Sequence, residues 1–313
     1  MITKDLIGIK NLSVSDIETY LEVASQMKAL FKKTGKKSDL LLGKNVSTLF
    51  FENSTRTRVS FEVAANFLGA HFSAMSAATS SVSKGETLVD TGQNLDALLI
   101  DTIIMRHPMA GAAAYLSKNV VASVINAGDG ASEHPTQALL DFYTIKEKLG
   151  SFKNKKVAIC GDIKYSRVAR SNIWGLQKLG AKVTVCAPYT LLPKGIENFG
   201  VDVELNPEKA IEKADVIMGL RVQLERQSGS VFPSLAEYAK FFSITKERID
   251  KAKATKAIIM HPGPVNRNVE MSSGVIDSSN SVILPQVTNG VAVRMAILNL
   301  THEAKLKQSG GKR

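Results

Sequence analysis

Apolar residues along this chain fall into two alternating spacings. In one, short apolar runs are closed by a glycine-bearing or polar cluster, the mark of a buried strand. The runs Val46–Phe51, His71–Ala77, Leu98–Ile104, Val120–Ile125, Lys156–Cys160, Val183–Cys186, Val201–Glu204, Val216–Gly219 and Ala257–Met260 predict strands on this basis. In the other, apolar residues recur every three or four positions and predict amphipathic helices. Ser13–Lys32 is one, with Ile17, Tyr20, Leu21, Ala24, Met27, Leu30 and Phe31 on its face and a Ser or Asp cap. A second begins at Val59 and continues through Val63, Ala64, Phe67 and Leu68. Pro135–Leu149, Val168–Leu179 and Gln286–Leu306 complete the set. Ala78–Glu86, rich in Ser and Thr, reads as an exposed loop, and Gly150–Lys155 as a polar connection. Strand and helix alternate to about Gly150 and again from Val157. That order predicts an α/β chain of two domains, each a mainly parallel sheet flanked by helices.

The polar clusters at the strand ends carry the chemistry. Asn53-Ser54-Thr55-Arg56-Thr57-Arg58 lies between a strand and a helix. Unpaired N–H groups at a helix N-terminus attract anions, and two hydroxyls and forked guanidiniums add donors suited to phosphate. Met105-Arg106-His107-Pro108, Asn126–Gly130 leading into His134-Pro135-Thr136-Gln137, Gly161–Arg167, Leu220–Gln223 and His261-Pro262-Gly263-Pro264 stand at other strand ends. Open parallel sheets bind ligands beyond the carboxyl ends of their strands, so clusters recurring there point to one composite site.

These motifs, in this order, resemble the aspartate/ornithine carbamoyltransferase family, most closely its aspartate-using catalytic chains, from about Asn45 to Asn299. The resemblance implies a carbamoyl-phosphate domain (1–134 with 287–306) and an aspartate domain (135–286). The final helix would return to the first domain, 307–313 would form a flexible tail, and the site would lie in the cleft between the domains. The implied reaction moves the carbamoyl group of carbamoyl phosphate onto the amine of L-aspartate, a step of pyrimidine nucleotide biosynthesis. Ser54, Thr55, Arg56 and Thr57 would bind phosphate, and Arg106 would bridge phosphate and carbonyl oxygen. His134, and Thr57 with it, would donate to the carbonyl oxygen. Gln137 would hold the carbamoyl amide nitrogen, and the backbone around Pro262, Gly263 and Pro264 would accept from that same NH₂. Arg167, Arg221, Lys84 and Gln223 would bind aspartate. Ser80 and Lys84 would come from a neighbouring subunit, which implies a homotrimer at least and leaves open a separate regulatory chain. No cofactor and no metal are expected, and Asp129 and Glu133 read as cap and loop residues.

Composition adjusts this picture only slightly. The 313 residues are 44% hydrophobic and 22% charged, ordinary for a globular chain and long enough for two domains. No apolar run approaches a bilayer span, no signal-peptide pattern opens the chain, and a cytoplasmic location is expected. Cys160 and Cys186 lack metal-ligand spacing and read as small core residues. The net charge of +11 is largely dispersed, in Lys32–Lys37, Lys146–Lys156, Lys246–Lys256 and Lys305–Arg313, which argues against a nucleic-acid face. Three competing readings remain. Ornithine carbamoyltransferases share the phosphate motif but carry a Cys-bearing turn where this chain has His261–Pro264. A nicotinamide dehydrogenase would need the Gly-x-Gly-x-x-Gly turn that Gly161-Asp162 lacks. A basic binding module leaves the strand-end motifs unexplained.

Overall fold

A computed structural model of the chain describes residues 1–34, 38–76, 85–223 and 234–310. Its backbone packs as two units, Met1–Tyr143 with Thr288–Arg313, and Thr144–Val287. In the first unit, helix α1 (Val14–Thr34) starts from a reciprocal cap. The Asp16 N–H donates to Ser13 Oγ, and the Ser13 N–H donates to the Asp16 carboxylate, both at 3.1 Å. Strands β1 (Asn45–Phe50), β2 (His71–Ser76), β3 (Thr102–His107) and β4 (Ser123–Asp129) form one parallel sheet in the order β2-β1-β3-β4. Helices α2 (Thr55–Phe67), α3 (Leu88–Ala97) and α4 (Ala112–Ser117) connect them, and α5 (Pro135–Leu149) carries the chain out of the unit. Leu49, Ile103, Met105 and Val124 from the sheet bury against Leu95 and Leu116 from α3 and α4.

The second unit holds β5 (Lys156–Cys160), β6 (Lys182–Cys186), β7 (Asp202–Glu204), β8 (Val216–Gly219) and β9 (Ile258–Met260), again all parallel, in the order β7-β6-β5-β8-β9. Its helices are α6 (Arg167–Lys178), α7 (Pro207–Ala210), α8 (Leu235–Phe242), α9 (Lys246–Lys251) and α10 (Ser273–Ile276). The closing helix α11 (Ile283–Gln308) returns to the first unit, where Lys28 of α1 donates to Asn289 Oδ1 at 2.6 Å. Every residue of α11 from Ala292 to Asn299 is buried, so its apolar surface runs all round rather than along one stripe. Cys160 and Cys186 sit opposite each other in the β5–β6 register, both buried and free. A hydrogen bond with Cys186, then burial, pushes the Cys160 thiol well above its ordinary pKa, which keeps it protonated.

The structure departs from the sequence reading at four places, each for a physical reason. Leu98–Ile104 is not one strand. Leu98 and Leu99 are exposed and end α3, with the Ile100 N–H returning to Leu95 O and Leu99 at φ +61°, so the strand starts only at Thr102. Arg106 therefore lies inside β3 rather than after it, and β4 likewise runs on through Asn126–Asp129. Helix α2 buries Thr57, Phe61, Ala64 and Ala65, with buried Leu68 at its C-cap, whereas Val59 is exposed, so its core face takes in Ala64 and Leu68 of the apolar spacing but not its start. Helix α11 begins before Pro285, because a proline in the first helical turn forfeits no helical hydrogen bond, and Lys307 and Gln308 are helical.

Each sheet reverses strand order once. The first does so between β1 and β3, the second between β5 and β8. Connections leaving neighbouring strands in opposite directions open a crevice at their carboxyl ends. Gly161 makes the second crevice tight. At φ +136°, a Cβ there would stand 2.3 Å from Leu220 O, while the Leu220 N–H donates to Cys160 O at 2.7 Å. Gly161→Ala should therefore lose about 1–3 kcal/mol from backbone strain alone, before any clash. Urea unfolding should show the loss, and a midpoint equal to wild type would contradict this account of the turn.

Candidate active site

At the first crevice, β1 delivers Ser54 to the N-terminus of α2. Ser54 takes the N-cap position without a side-chain capping bond, and the first turn of α2 holds no acidic residue. The leading N–H groups of α2 have no intrahelical acceptor by helix geometry, so the turn is a donor-rich, positively polarised surface. Thr55 and Arg56 are exposed on it, and Thr57 is buried. Arg106, paired in register with Phe50 of β1, stands beside this turn. Its Nε donates to Glu52 Oε2 at 3.1 Å, both side chains being mostly buried. The next strand, β4, ends at Asp129, and the segment after it reaches His134 at the start of α5. His134 is buried, and its carbonyl accepts from the N–H groups of Gln137 and Ala138, both at 3.1 Å. Pro135 at the first helical position suits this start. The Thr136 hydroxyl lies 3.4 Å from His134 Nδ1. Gln137, one turn on, donates from Nε2 to Asp141 Oδ1 at 2.9 Å.

Asp129 and Glu133 take structural parts. Asp129 accepts from the Gly111 N–H at 2.7 Å and the Glu133 N–H at 3.0 Å, as the last residue of β4 rather than a loop residue. The Glu133 carboxylate accepts from the Ile9 and Lys10 N–H groups. Burial holds the His107 imidazole below its ordinary pKa, and its Nδ1 accepts from the Met109 N–H at 3.0 Å.

At the second crevice, Asp162 joins the two strand ends. One carboxylate oxygen accepts from the Tyr165 N–H at 3.0 Å and the other from the Gln223 N–H at 3.2 Å. The Gln223 amide donates back to Tyr165 O at 3.4 Å. Ser166 caps α6, accepting from the Ala169 N–H, and this sets Arg167 as a buried first-turn residue. Arg221, half-buried, leaves the adjacent strand two residues before Gln223. On the next strand over, His261 begins the turn that holds Gly263 and Pro264. Its Nδ1 accepts from the Gly263 N–H at 2.8 Å, its own N–H donates to Gln286 Oε1 at 3.0 Å, and its Nε2 lies 3.4 Å from Glu270. Gly263 sits at φ +68°, where the absence of a Cβ removes the usual penalty.

The expected residues thus gather in two sets. Ser54, Thr55, Arg56, Thr57, Arg106, His134 and Gln137 follow the carboxyl ends of β1, β3 and β4 in the first unit. Arg167, Arg221, Gln223, Gly263 and Pro264 follow β5, β8 and β9 in the second. Ser80 and Lys84 lie outside the described residues. Sequence reasoning gave no part to Glu52, Asp141, Asp162 or Glu270. Asp141 had a usable signal, its position four residues after Gln137 on one helix. Glu52 meets Arg106, and Asp162 meets Gln223, only through the fold. Among the described residues, no cluster of three His, Cys, Asp or Glu could hold a metal, and no helix is long and apolar enough to cross a membrane.

Comparison with known proteins bears on the same residues. Residues 4–147 match the family described as aspartate/ornithine carbamoyltransferase, carbamoyl-P binding domain, and residues 153–301 match its Asp/Orn binding domain. The chain is 56% identical over 298 residues to the aspartate carbamoyltransferase catalytic subunit of Ruminiclostridium cellulolyticum, covering 95% of each. It is similar, at 34% identity and a TM-score of 0.83, to aspartate transcarbamoylase from Trypanosoma cruzi in complex with N-(phosphonacetyl)-L-aspartic acid, covering 94% of both chains. An ornithine carbamoyltransferase from Pyrococcus furiosus gives 33% identity and a TM-score of 0.83, covering 96% of this chain and 98% of that one.

Proposed function

From the premise that this chain belongs to the aspartate/ornithine carbamoyltransferase family, we infer how its two crevices divide one reaction. The chain is an enzyme that transfers the carbamoyl group of carbamoyl phosphate to L-aspartate, giving N-carbamoyl-L-aspartate and phosphate. Relatives more than half identical carry the aspartate activity in their names, whereas the fold alone is common to the ornithine enzymes. The observation that carries the division of labour is that each sheet presents cations at its own reversal of strand order. Arg56 and Arg106 stand at the first, Arg167 and Arg221 at the second.

In this reading the first unit binds carbamoyl phosphate. Ser54, Thr55, Arg56, Thr57 and the leading N–H groups of α2 hold the phosphate. Arg106, set by Glu52, reaches both phosphate and carbonyl oxygen. The second unit binds aspartate, with Arg167 and Arg221 on its two carboxylates and Gln223, tied to Asp162, in support. The aspartate amine attacks the carbamoyl carbon, the carbonyl oxygen takes up negative charge, and the C–O bond to phosphate breaks as the C–N bond completes. Arg106, Thr57 and His134 donate to that oxygen as its charge grows, which lowers the barrier. A Thr136 hydroxyl donating to His134 Nδ1 leaves the ring proton on Nε2 for this purpose. The departing phosphate can take the proton the amine loses, so no protein base is needed. Gln137 and the backbone around Gly263 and Pro264 accept from the carbamoyl NH₂. Lys84, with Ser80, enters from a neighbouring subunit of a homotrimer, and the protein works in the cytoplasm, where both substrates are met.

With aspartate and ornithine assayed side by side, aspartate should turn over and ornithine should not; faster turnover of ornithine would overturn the substrate assignment. Arg221→Ala should weaken aspartate and spare carbamoyl phosphate, and Arg56→Ala should do the reverse. Each loss of a charge-assisted bond is worth about 1.5–3 kcal/mol, or roughly tenfold to a hundredfold in affinity. Calorimetry giving the opposite pattern would refute the mapping. When subunits of the two inactive variants Arg56→Ala and Lys84→Ala are exchanged, each mixed three-fold ring should recover roughly a third of wild-type activity, because it regains one intact site. No recovery after verified exchange would put Lys84 outside the neighbour's site.

A further inference from the structure

The Gln137 amide at the first crevice has two ends of opposite chemistry. Its oxygen accepts hydrogen bonds and its nitrogen donates them, and a half-turn of the side chain exchanges the two. Nε2 donates to Asp141 Oδ1 at 2.9 Å, and both residues are buried. An ionised carboxylate only accepts, so Asp141 can be met by the NH₂ end alone. The oxygen on the other side of the amide is thereby fixed as an acceptor, and among the described residues no donor meets it. Arg294 of α11 is buried, donating from Nη1 to Ser60 Oγ at 3.1 Å and lying over the Phe61 ring at 5.1 Å. Burial pushes the Arg294 pKa down to about 10, opposed by the charge of Asp141, so the guanidinium stays charged at neutral pH. Gly290 leaves room for it, since a Cβ there would meet Arg294 Nη1 at 2.5 Å.

We propose that Asp141, backed by Arg294, is a specificity-determining positioning residue: it locks the Gln137 amide with its oxygen outward, so that the site selects an acyl phosphate bearing an NH₂ group over one bearing a methyl. This rests on the reading that the first unit binds carbamoyl phosphate. A carbamoyl NH₂ donates to the fixed oxygen. An acetyl methyl, of nearly the same size, cannot, and leaves that oxygen unpaired in a buried place. Asp141 touches no substrate in this scheme and acts only through Gln137.

The test is calorimetric titration of the full chain with carbamoyl phosphate, acetyl phosphate and inorganic phosphate. In Asp141→Asn the partner can donate or accept, the Gln137 amide can turn, and the preference for carbamoyl over acetyl phosphate should fall about tenfold, the scale of one hydrogen bond. Phosphate affinity should stay within about twofold, since the α2 donors are untouched. Asp141→Glu, which keeps an accept-only group, should retain more of the preference than Asp141→Asn. Asp141→Asn leaves Arg294 without its counter-charge, so Asp141→Asn with Arg294→Gln serves as a companion that removes both charges and should lose the same preference. In a Gln137→Ala background, Asp141→Asn should have no further effect on the preference, because the residue it orients is gone. An unchanged preference in Asp141→Asn overturns the proposal. So does a fall in phosphate affinity equal to that for carbamoyl phosphate in both the single and the charge-removed variants, since that assigns Asp141 a structural role. Failure of the wild-type chain to bind carbamoyl phosphate would instead overturn the functional reading beneath it.

Discussion

Parallel strands present all their carboxyl ends on one edge of a sheet, and the chain can leave that edge to either side. Where two neighbouring strands send it in opposite directions, a crevice opens that no connection covers. This constraint, met once in each unit, sets the edge of the sheet along which the described candidate residues stand. Between β1 and β3 the crevice receives the N-terminus of α2, whose aligned peptide dipoles and leading N–H groups are fixed in place before any ligand arrives. Between β5 and β8 it receives the start of α6 and the segment Arg221–Gln223, tied together by Asp162. Donors held in advance need no reorganisation as charge develops, which suits such a crevice to stabilising that charge.

The supporting contacts follow from keeping cations close to a low-dielectric interior. Arg106 is held by Glu52, and the charge of Asp141 acts on the buried Arg294. An unpaired buried charge costs several kcal/mol, so each such arginine brings a carboxylate with it. The turn at His261 is held in a similar way. His261 accepts from the Gly263 N–H and faces Glu270, which itself accepts from the Asn266 N–H at 3.0 Å, so one carboxylate clasps the turn at both ends.

Much of this was legible in the sequence, and the residues say why. Lys156–Cys160 and Val216–Gly219 read as strands and fold as strands, because central parallel strands are buried on both faces and leave an unbroken apolar run. Pro135–Leu149 reads as a helix and folds as one, since its proline marks the first turn. Leu98–Ile104 misleads because two exposed leucines of a helix C-cap adjoin a true strand, and composition does not distinguish them. The strand-end clusters announced where the polar chemistry would gather. What they could not announce was the partners. Glu52 meets Arg106, and Asp162 meets Gln223, only after the sheets bring distant segments together.

The central claim is that the reversal between β1 and β3 is the phosphate subsite. A crystal structure of the chain grown with carbamoyl phosphate tests it most directly. The phosphate should lie at the N-terminus of α2, within hydrogen-bond distance of the Thr55–Thr57 N–H groups and the Arg106 guanidinium, with the carbamoyl NH₂ turned toward Gln137 Oε1. Ordered carbamoyl phosphate bound elsewhere, with the α2 N-terminus empty of it, would contradict the account.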